Sequence, residues 1–171
     1  MISIYLLFHL LIGLTLGLVL GHISKDRVMV PVCVILSIVS DLLDKPLAWM
    51  SPSLNSGRAI AHTLLFAVIV AVLVWRFSAS RSKWMLVAAF GSIFSHQFFD
   101  KMWDNLTTWI FPAYGWFLTV PKPWGFWEFF LAEINSPIEW ICGILIIVFL
   151  LDYVSNQRDH PLNKPIKEVK L

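Results

Sequence analysis

The chain has 171 residues, of which 58% are hydrophobic and 14% charged, and its mean hydropathy is +0.74. A soluble domain of this length is far less apolar, so water is excluded as the main solvent. The net charge of +2 is small and its basic residues fall in short connections and the tail, which gives no argument for nucleic acid as a partner.

A helix rising 1.5 Å per residue needs about 20 apolar residues to cross a hydrocarbon core of ~30 Å, and five runs approach that length. The first, Ile2 to Leu20, opens without the basic region or small-residue cleavage site of a secretory signal, and is expected to be a retained span carrying His9. After the joint G-H-I-S-K-D-R, the second run extends from Val28 to Leu43 and brings Asp41, with Asp44 just beyond it. The third, Arg58 to Phe77, carries His62; the fourth, Trp84 to Phe99, follows the joint R-F-S-A-S-R-S-K and carries His96, with Asp100 next. The segment Lys101 to Glu133 places Trp103, Trp109, Trp116, Trp124 and Trp127 among prolines and glycines. Tryptophan favours the headgroup level, where a half-apolar ring and an N–H both find partners, so this segment reads as an interfacial cap. The fifth run, Pro137 to Tyr153, carries Glu139, and a polar tail follows from Asn156. Cys33 and Cys142 fall inside apolar runs and read as small hydrophobes.

The expectation is an all-α fold: one membrane-embedded bundle of about five transmembrane helices over residues 1–155. An aromatic-rich extracytoplasmic segment, 101–133, joins the fourth helix to the fifth, and residues 156–171 form a cytoplasmic tail. Orientation follows from the distribution of Lys and Arg. One side receives Lys25, Arg27, Arg76, Arg81, Lys83, Arg158, Lys164, Lys167 and Lys170, and the other Lys45, Arg58, Lys101 and Lys122. The richer side is expected to be cytoplasmic in an inner or plasma membrane, with the N-terminus outside.

Ionisable residues within spans are expensive in hydrocarbon, and each calls for a partner or a wet cavity. Here they are His9, Asp41, Asp44, His62, His96, Asp100 and Glu139. His9, Asp41, His62, His96 and Glu139 each lie about 12 to 14 residues from a cytoplasmic joint, or roughly 18 to 21 Å above that interface. His96 and Asp100 stand at i, i+4 and Asp41 and Asp44 at i, i+3, so each pair shares a helical face. Singly, each has a plainer role. His9 can be a packing residue, Asp41 and Asp44 can end a helix ahead of Lys45 and Pro46, and Glu139 can complement a helix N-terminus. His22 and His160 read as solvated. The common depth is what argues for joint action: carboxylates gathered in a low dielectric repel unless a cation lies between them. Mixed imidazole and carboxylate donors suit zinc or manganese, as one or two ions.

These residues lie in four motifs that resemble the YdjM-type family of membrane-bound metal-dependent hydrolases, itself distantly similar to zinc-dependent phospholipase C. F-H-L-L-I-G-L-T-L-G (Phe8 to Gly17) looks like the family's His-containing first helix, and S-D-L-L-D-K-P (Ser40 to Pro46) stands where the family has its aspartates. G-R-A-I-A-H-T (Gly57 to Thr63) resembles the His-Arg…Thr-His signature, and S-H-Q-F-F-D (Ser95 to Asp100) matches His-x-x-x-Asp. Gly57 and Ala61 replace the signature's first histidine and its threonine, so one usual ligand is missing.

The leading reading is a metal-dependent phosphoesterase at the outer leaflet, with His9, Asp41, Asp44, His62, His96, Asp100 and Glu139 as candidate metal ligands. Arg58 and Asp44 are candidate catalytic residues, and Arg58, Lys101 and Lys122 are candidates for holding substrate phosphate. The partner is then membrane lipid, as a headgroup or lipid-linked phosphoester. A metal or proton transporter is the first rival. It needs polar groups continuing to the other face, where the sequence reads V-M-V-P-V-C-V-I-L and I-L-I-I-V-F-L. The second is a non-enzymatic protein in which the metal ties helices together; a closed coordination shell favours it and an open position favours catalysis.

Overall fold

A computed structural model describes residues 6–50, 57–78, 82–115 and 126–159. Among them every regular element is helical: α1 (Leu6–Ser24), α2 (Met29–Leu36), α3 (Val39–Met50), α4 (Leu64–Phe77), α5 (Lys83–Phe99), α6 (Leu106–Trp109), α7 (Phe126–Ile134) and α8 (Pro137–Asp159), with 3₁₀ turns at Ile60–His62 and Met102–Asp104. The all-α expectation holds. Two helices, Leu6–Ser24 and the Pro137–Ser155 part of α8, are long and apolar enough to cross a bilayer.

The second and third expected spans are not continuous helices. The second breaks at Ser37 and Ile38, where the Ser37 hydroxyl donates back to the Val34 carbonyl at 2.9 Å and Ile38 N–H closes a three-residue turn on Ile35. Side-chain competition of this kind bends or ends helices. The chain then re-forms as α3, which runs through Pro46 to Met50 where the sequence had signalled a stop. The third run spends its first residues in the 3₁₀ turn, and α4 starts only after Thr63, whose hydroxyl accepts from Phe66 N–H at 3.0 Å. Its 14 residues rise about 21 Å, short of the hydrocarbon thickness.

α1 packs on α2, α5 and α8, and α5 lies between α2 and α4. The α1–α2 contact is close because glycine lines it: a Cβ at Gly17 would stand 2.7 Å from the Cα of Val30, and one at Gly13 would strike the Ser37 hydroxyl. Small residues let helix backbones approach in a medium that supplies no hydrophobic drive between helices. Leu20, Met29, Cys33, Met85 and Ala88 form one apolar cluster, and Leu36, Ala67, Ala71, Ala89 and Ile93 a second. The outer surface is apolar as well, with Ile141, Ile144, Ile147 and Leu151 exposed along α8 and Val68, Ile69 and Val72 along α4. His9, Asp41, Asp44, His62, His96, Gln97 and Asp100 are buried instead. Polar inside and apolar outside is the arrangement expected when hydrocarbon is the solvent.

Candidate metal centre

The break in the second run builds the site. Beginning a new helix at Val39 puts Ser40, Asp41 and Asp44 on its buried side. The chain returns through Gly57, whose φ of +63° favours glycine, into the segment 59–63. Asp44 organises that segment: one oxygen accepts from Ala59 N–H (2.7 Å) and His62 N–H (3.2 Å), the other from Ala61 N–H (3.1 Å). Ser40 Oγ donates to the Ala61 carbonyl at 2.8 Å, and Gln97 Nε2 donates to the carbonyls of Ala61 (3.3 Å) and Thr63 (3.0 Å). Trp109 Nε1 donates to Gln97 Oε1 at 3.0 Å, orienting that amide. The 3₁₀ turn is thus fixed from α3, α5 and α6.

His62 leaves this turn with Nδ1 2.8 Å from Asp44 Oδ2. An ionised carboxylate only accepts, so Nδ1 carries a hydrogen, and Nε2 is the ring nitrogen left for a metal ion to take. One turn of α5 adds His96 and Asp100, and α3 adds Asp41. Four donor atoms, Asp41 Oδ1, His62 Nε2, His96 Nε2 and Asp100 Oδ2, lie within 4.8 Å of one another, and among the described residues this is the group able to hold a metal ion. His62 Nε2 is 3.3 Å from His96 Nε2, 3.3 Å from Asp100 Oδ2 and 3.6 Å from Asp41 Oδ1. His96 Nε2 is 3.7 Å from both carboxylate oxygens. A tetrahedral shell of N and O ligands at about 2.0–2.2 Å has edges of about 3.3–3.6 Å, and these five separations, 3.3–3.7 Å, lie close to that range. The hydrogen bonding agrees. Asp41 Oδ1 and Asp100 Oδ2 are buried and make no hydrogen bond, although a buried carboxylate oxygen left unsatisfied is costly. A cation between them satisfies both.

The remaining oxygen of each carboxylate is occupied. Lys45 Nζ lies 2.7 Å from Asp41 Oδ2, and His9 Nε2 lies 3.0 Å from Asp100 Oδ1. Arg58 Nε stands 3.5 Å from Asp100 Oδ2, with its side chain 17% exposed.

Of the seven candidate ligands, four converge on one point. His9 and Asp44 stand behind them, each bonded to a converging residue. Glu139 is placed elsewhere: its oxygens accept from Leu7 N–H (2.7 Å) and Phe8 N–H (3.3 Å), while Glu133 accepts from Leu6 N–H (3.2 Å). The acidic complement to a helix N-terminus foreseen for Glu139 is real, but the helix it serves is α1. Lys101, one residue past Asp100, is exposed with a left-handed φ of 55°, and His22 is exposed as expected. Lys122, Trp116, Trp124 and His160 lie outside the described residues. The residues that sequence reasoning missed are Lys45, Ser40, Gln97 and Trp109. Gln97 carries a usable signal, a polar amide inside an apolar run and next to His96; Lys45 enters the sequence reading only through the count of charges on each side of the membrane and as the residue after Asp44.

A family model described as YdjM inner membrane protein matches residues 5–159, and the chain belongs to that family. No curated protein and no solved structure matches it. Family membership together with the two long apolar helices locates the chain in a membrane.

Proposed function

We propose that this member of the YdjM inner membrane protein family is a metal-dependent hydrolase, a phosphoesterase acting on a lipid headgroup or lipid-linked phosphate at the outer leaflet. The observation that carries the proposal is the pair of buried, unbonded carboxylate oxygens of Asp41 and Asp100 facing two imidazole nitrogens. Asp41, His62, His96 and Asp100 would hold the ion, zinc or manganese. When bound, it supplies Lewis acidity and lowers the pKa of water toward neutrality.

Electrostatics support an anionic substrate. Asp41, Asp44 and Asp100 against Lys45 and Arg58 leave one negative charge, which a divalent ion turns into one positive charge. The partly exposed Arg58 guanidinium beside Asp100 offers a planar fork that suits phosphate. Lys101, exposed and one residue beyond Asp100, would draw the headgroup in. Asp44 fixes the His62 tautomer, so in this reading it acts through His62 rather than on the substrate. The topology that goes with it has the N-terminus and the site outside and the C-terminal tail in the cytoplasm.

The test is elemental analysis of the detergent-purified protein beside the double variant His96→Ala, Asp100→Ala, with phosphate or headgroup release from mixed lipids assayed in parallel. The expected result is about one ion per chain, bound metal and lipid turnover being lost together in the variant. Wild-type protein that holds no metal after incubation with zinc or manganese overturns the reading. Stoichiometric metal with no turnover of any lipid phosphoester favours the structural-metal rival, for which four protein donors would already suffice.

A further inference from the structure

The two carboxylates of the centre share an arrangement that a metal site does not require. Each turns one oxygen inward with no hydrogen bond and has the other held by a side chain: Asp41 Oδ2 by Lys45 Nζ at 2.7 Å, Asp100 Oδ1 by His9 Nε2 at 3.0 Å. The two holding groups come from different places, Lys45 one turn further along α3 and His9 from α1 across the bundle. His9 and Asp100 are buried, as is the Asp41 carboxylate. We infer that His9 and Lys45 are positioning residues that keep Asp100 and Asp41 monodentate, so that the centre selects zinc over manganese and retains a coordination position for substrate.

The argument rests on the metal reading above and on coordination chemistry. A carboxylate can give an ion one oxygen or two. Were both aspartates free to chelate, two imidazoles and four oxygens would approach a six-donor shell, which manganese favours and which leaves no room for substrate. An oxygen that already accepts a charge-assisted hydrogen bond of 2.7–3.0 Å is a poor second ligand, because ligation would break that bond in a buried site. With both outer oxygens so held, the protein supplies two nitrogens and two oxygens, a number and type of donor that zinc accepts and manganese does not prefer. Zinc can then expand to five-coordinate, and the added position is the one a substrate would use. Close packing of α1 on α2 at Gly13 and Gly17 supports the His9 hold, since it fixes the helix that carries the imidazole.

The test uses the full chain in detergent, stripped with a chelator and reloaded with cobalt(II), whose visible absorption reports coordination number without any need for activity. The wild type is expected to give the intense bands of a four- or five-coordinate ion, and to prefer zinc when zinc and manganese compete in elemental analysis. Lys45→Met and His9→Leu are each expected to weaken those bands, to lower the zinc-over-manganese preference, and to lower zinc affinity by about 10-fold or more, the range typical of residues that orient ligands. Lys45→Arg is expected to restore the wild-type spectrum. Variants that bind cobalt with an unchanged spectrum and unchanged metal preference overturn the inference while leaving the metal centre standing; wild-type protein that binds no metal removes both. X-ray absorption of the zinc-loaded wild type needs no variant. A shell of four or five N and O neighbours is expected, and six or more, with paired carboxylate oxygens, overturns the inference.

Discussion

The two ends of the bundle solve different problems with the same helices. At one end α1, α3 and α5 bury His9, Asp41, Asp44, His96, Gln97 and Asp100, tied together by hydrogen bonds and ion pairs. At the other, α1, α2 and α5 bury Leu20, Met29, Cys33, Met85 and Ala88, and among the described residues no buried charged side chain comes from the stretches that form this cluster. A permeation path must cross both ends. A site that works at one face needs polar groups at one end only, and the apolar end then acts as its rigid foundation. The contrast speaks against transport, and it can be broken by exchanging the kinds of damage done at each end.

The largest effect is expected from Asp100→Ala. The change removes an inward donor and also the partner of His9 and Arg58, leaving buried polar groups uncompensated. Loss of one member of a buried pair typically costs about 3–5 kcal/mol, so bound metal should disappear and the melting temperature in detergent should fall steeply. Met29→Ala, at a fully buried position of the opposite end, is the counterpart. A cavity there should cost about 2–5 kcal/mol with one ion per chain still bound. Elemental analysis and thermal melts of both proteins decide the matter: an Asp100→Ala chain that keeps its metal, or a folded Met29→Ala chain that loses it, would erase the distinction between the ends.

Asp44→Asn probes the layer behind the donors and should have a smaller effect. The asparagine amide cannot accept from Ala59, Ala61 and His62 N–H and from His62 Nδ1–H all at once, so the 3₁₀ turn and the His62 tautomer lose their common anchor. Partners of this kind are worth about 10- to 100-fold in metal affinity. Zinc titration with a competing chelator measures it, and an unchanged affinity would show that the His62 ring is held by packing alone.

How much of this was legible beforehand depended on what each residue's signal measured. Depth counting along the helices found that His9, Asp41, His62 and His96 meet, because 1.5 Å per residue is a property of the backbone and survives even where a span is broken. The same count included Glu139 wrongly among the converging carboxylates, since depth fixes a level in the membrane and says nothing about direction around a helix. The breaks at Ser37 and Thr63 were hidden because apolar runs of 16 to 20 residues look alike whether or not a serine hydroxyl turns back on the backbone or a threonine hydroxyl caps a new helix inside them. Division of the candidate ligands into inward donors and their supports could not be read at all. It depends on which oxygen of a carboxylate faces Lys45 or His9, and only tertiary packing sets that.

The smallest expected effect lies at the N-terminal end of α1, where Glu133 and Glu139 together receive the first N–H groups of the helix that carries His9. Burial pushes the Glu133 carboxyl up to about 8 from its ordinary 4.5; Leu6 N–H opposes the shift and the neighbouring Glu139 adds to it. Since the folded chain holds this proton more tightly than the unfolded one, stability from Glu133 is complete below about pH 4.5. It is lost progressively as the pH rises to about 8 and is level above that. Glu133→Gln keeps an acceptor for Leu6 N–H and cannot ionise, so it should remove that slope. Melting temperatures of wild type and variant across this range should therefore diverge as pH rises, with the variant the more stable by a few degrees at the alkaline end. Parallel profiles would mean that Glu133 stays charged at the helix terminus, held there by the α1 dipole as an ordinary cap. Metal content should be unaffected in either case, because the tie is to the Leu6 backbone and to none of the four donors; a variant that lost metal would show that the position of α1 is set at its N-terminal end and not by the glycine contact with α2.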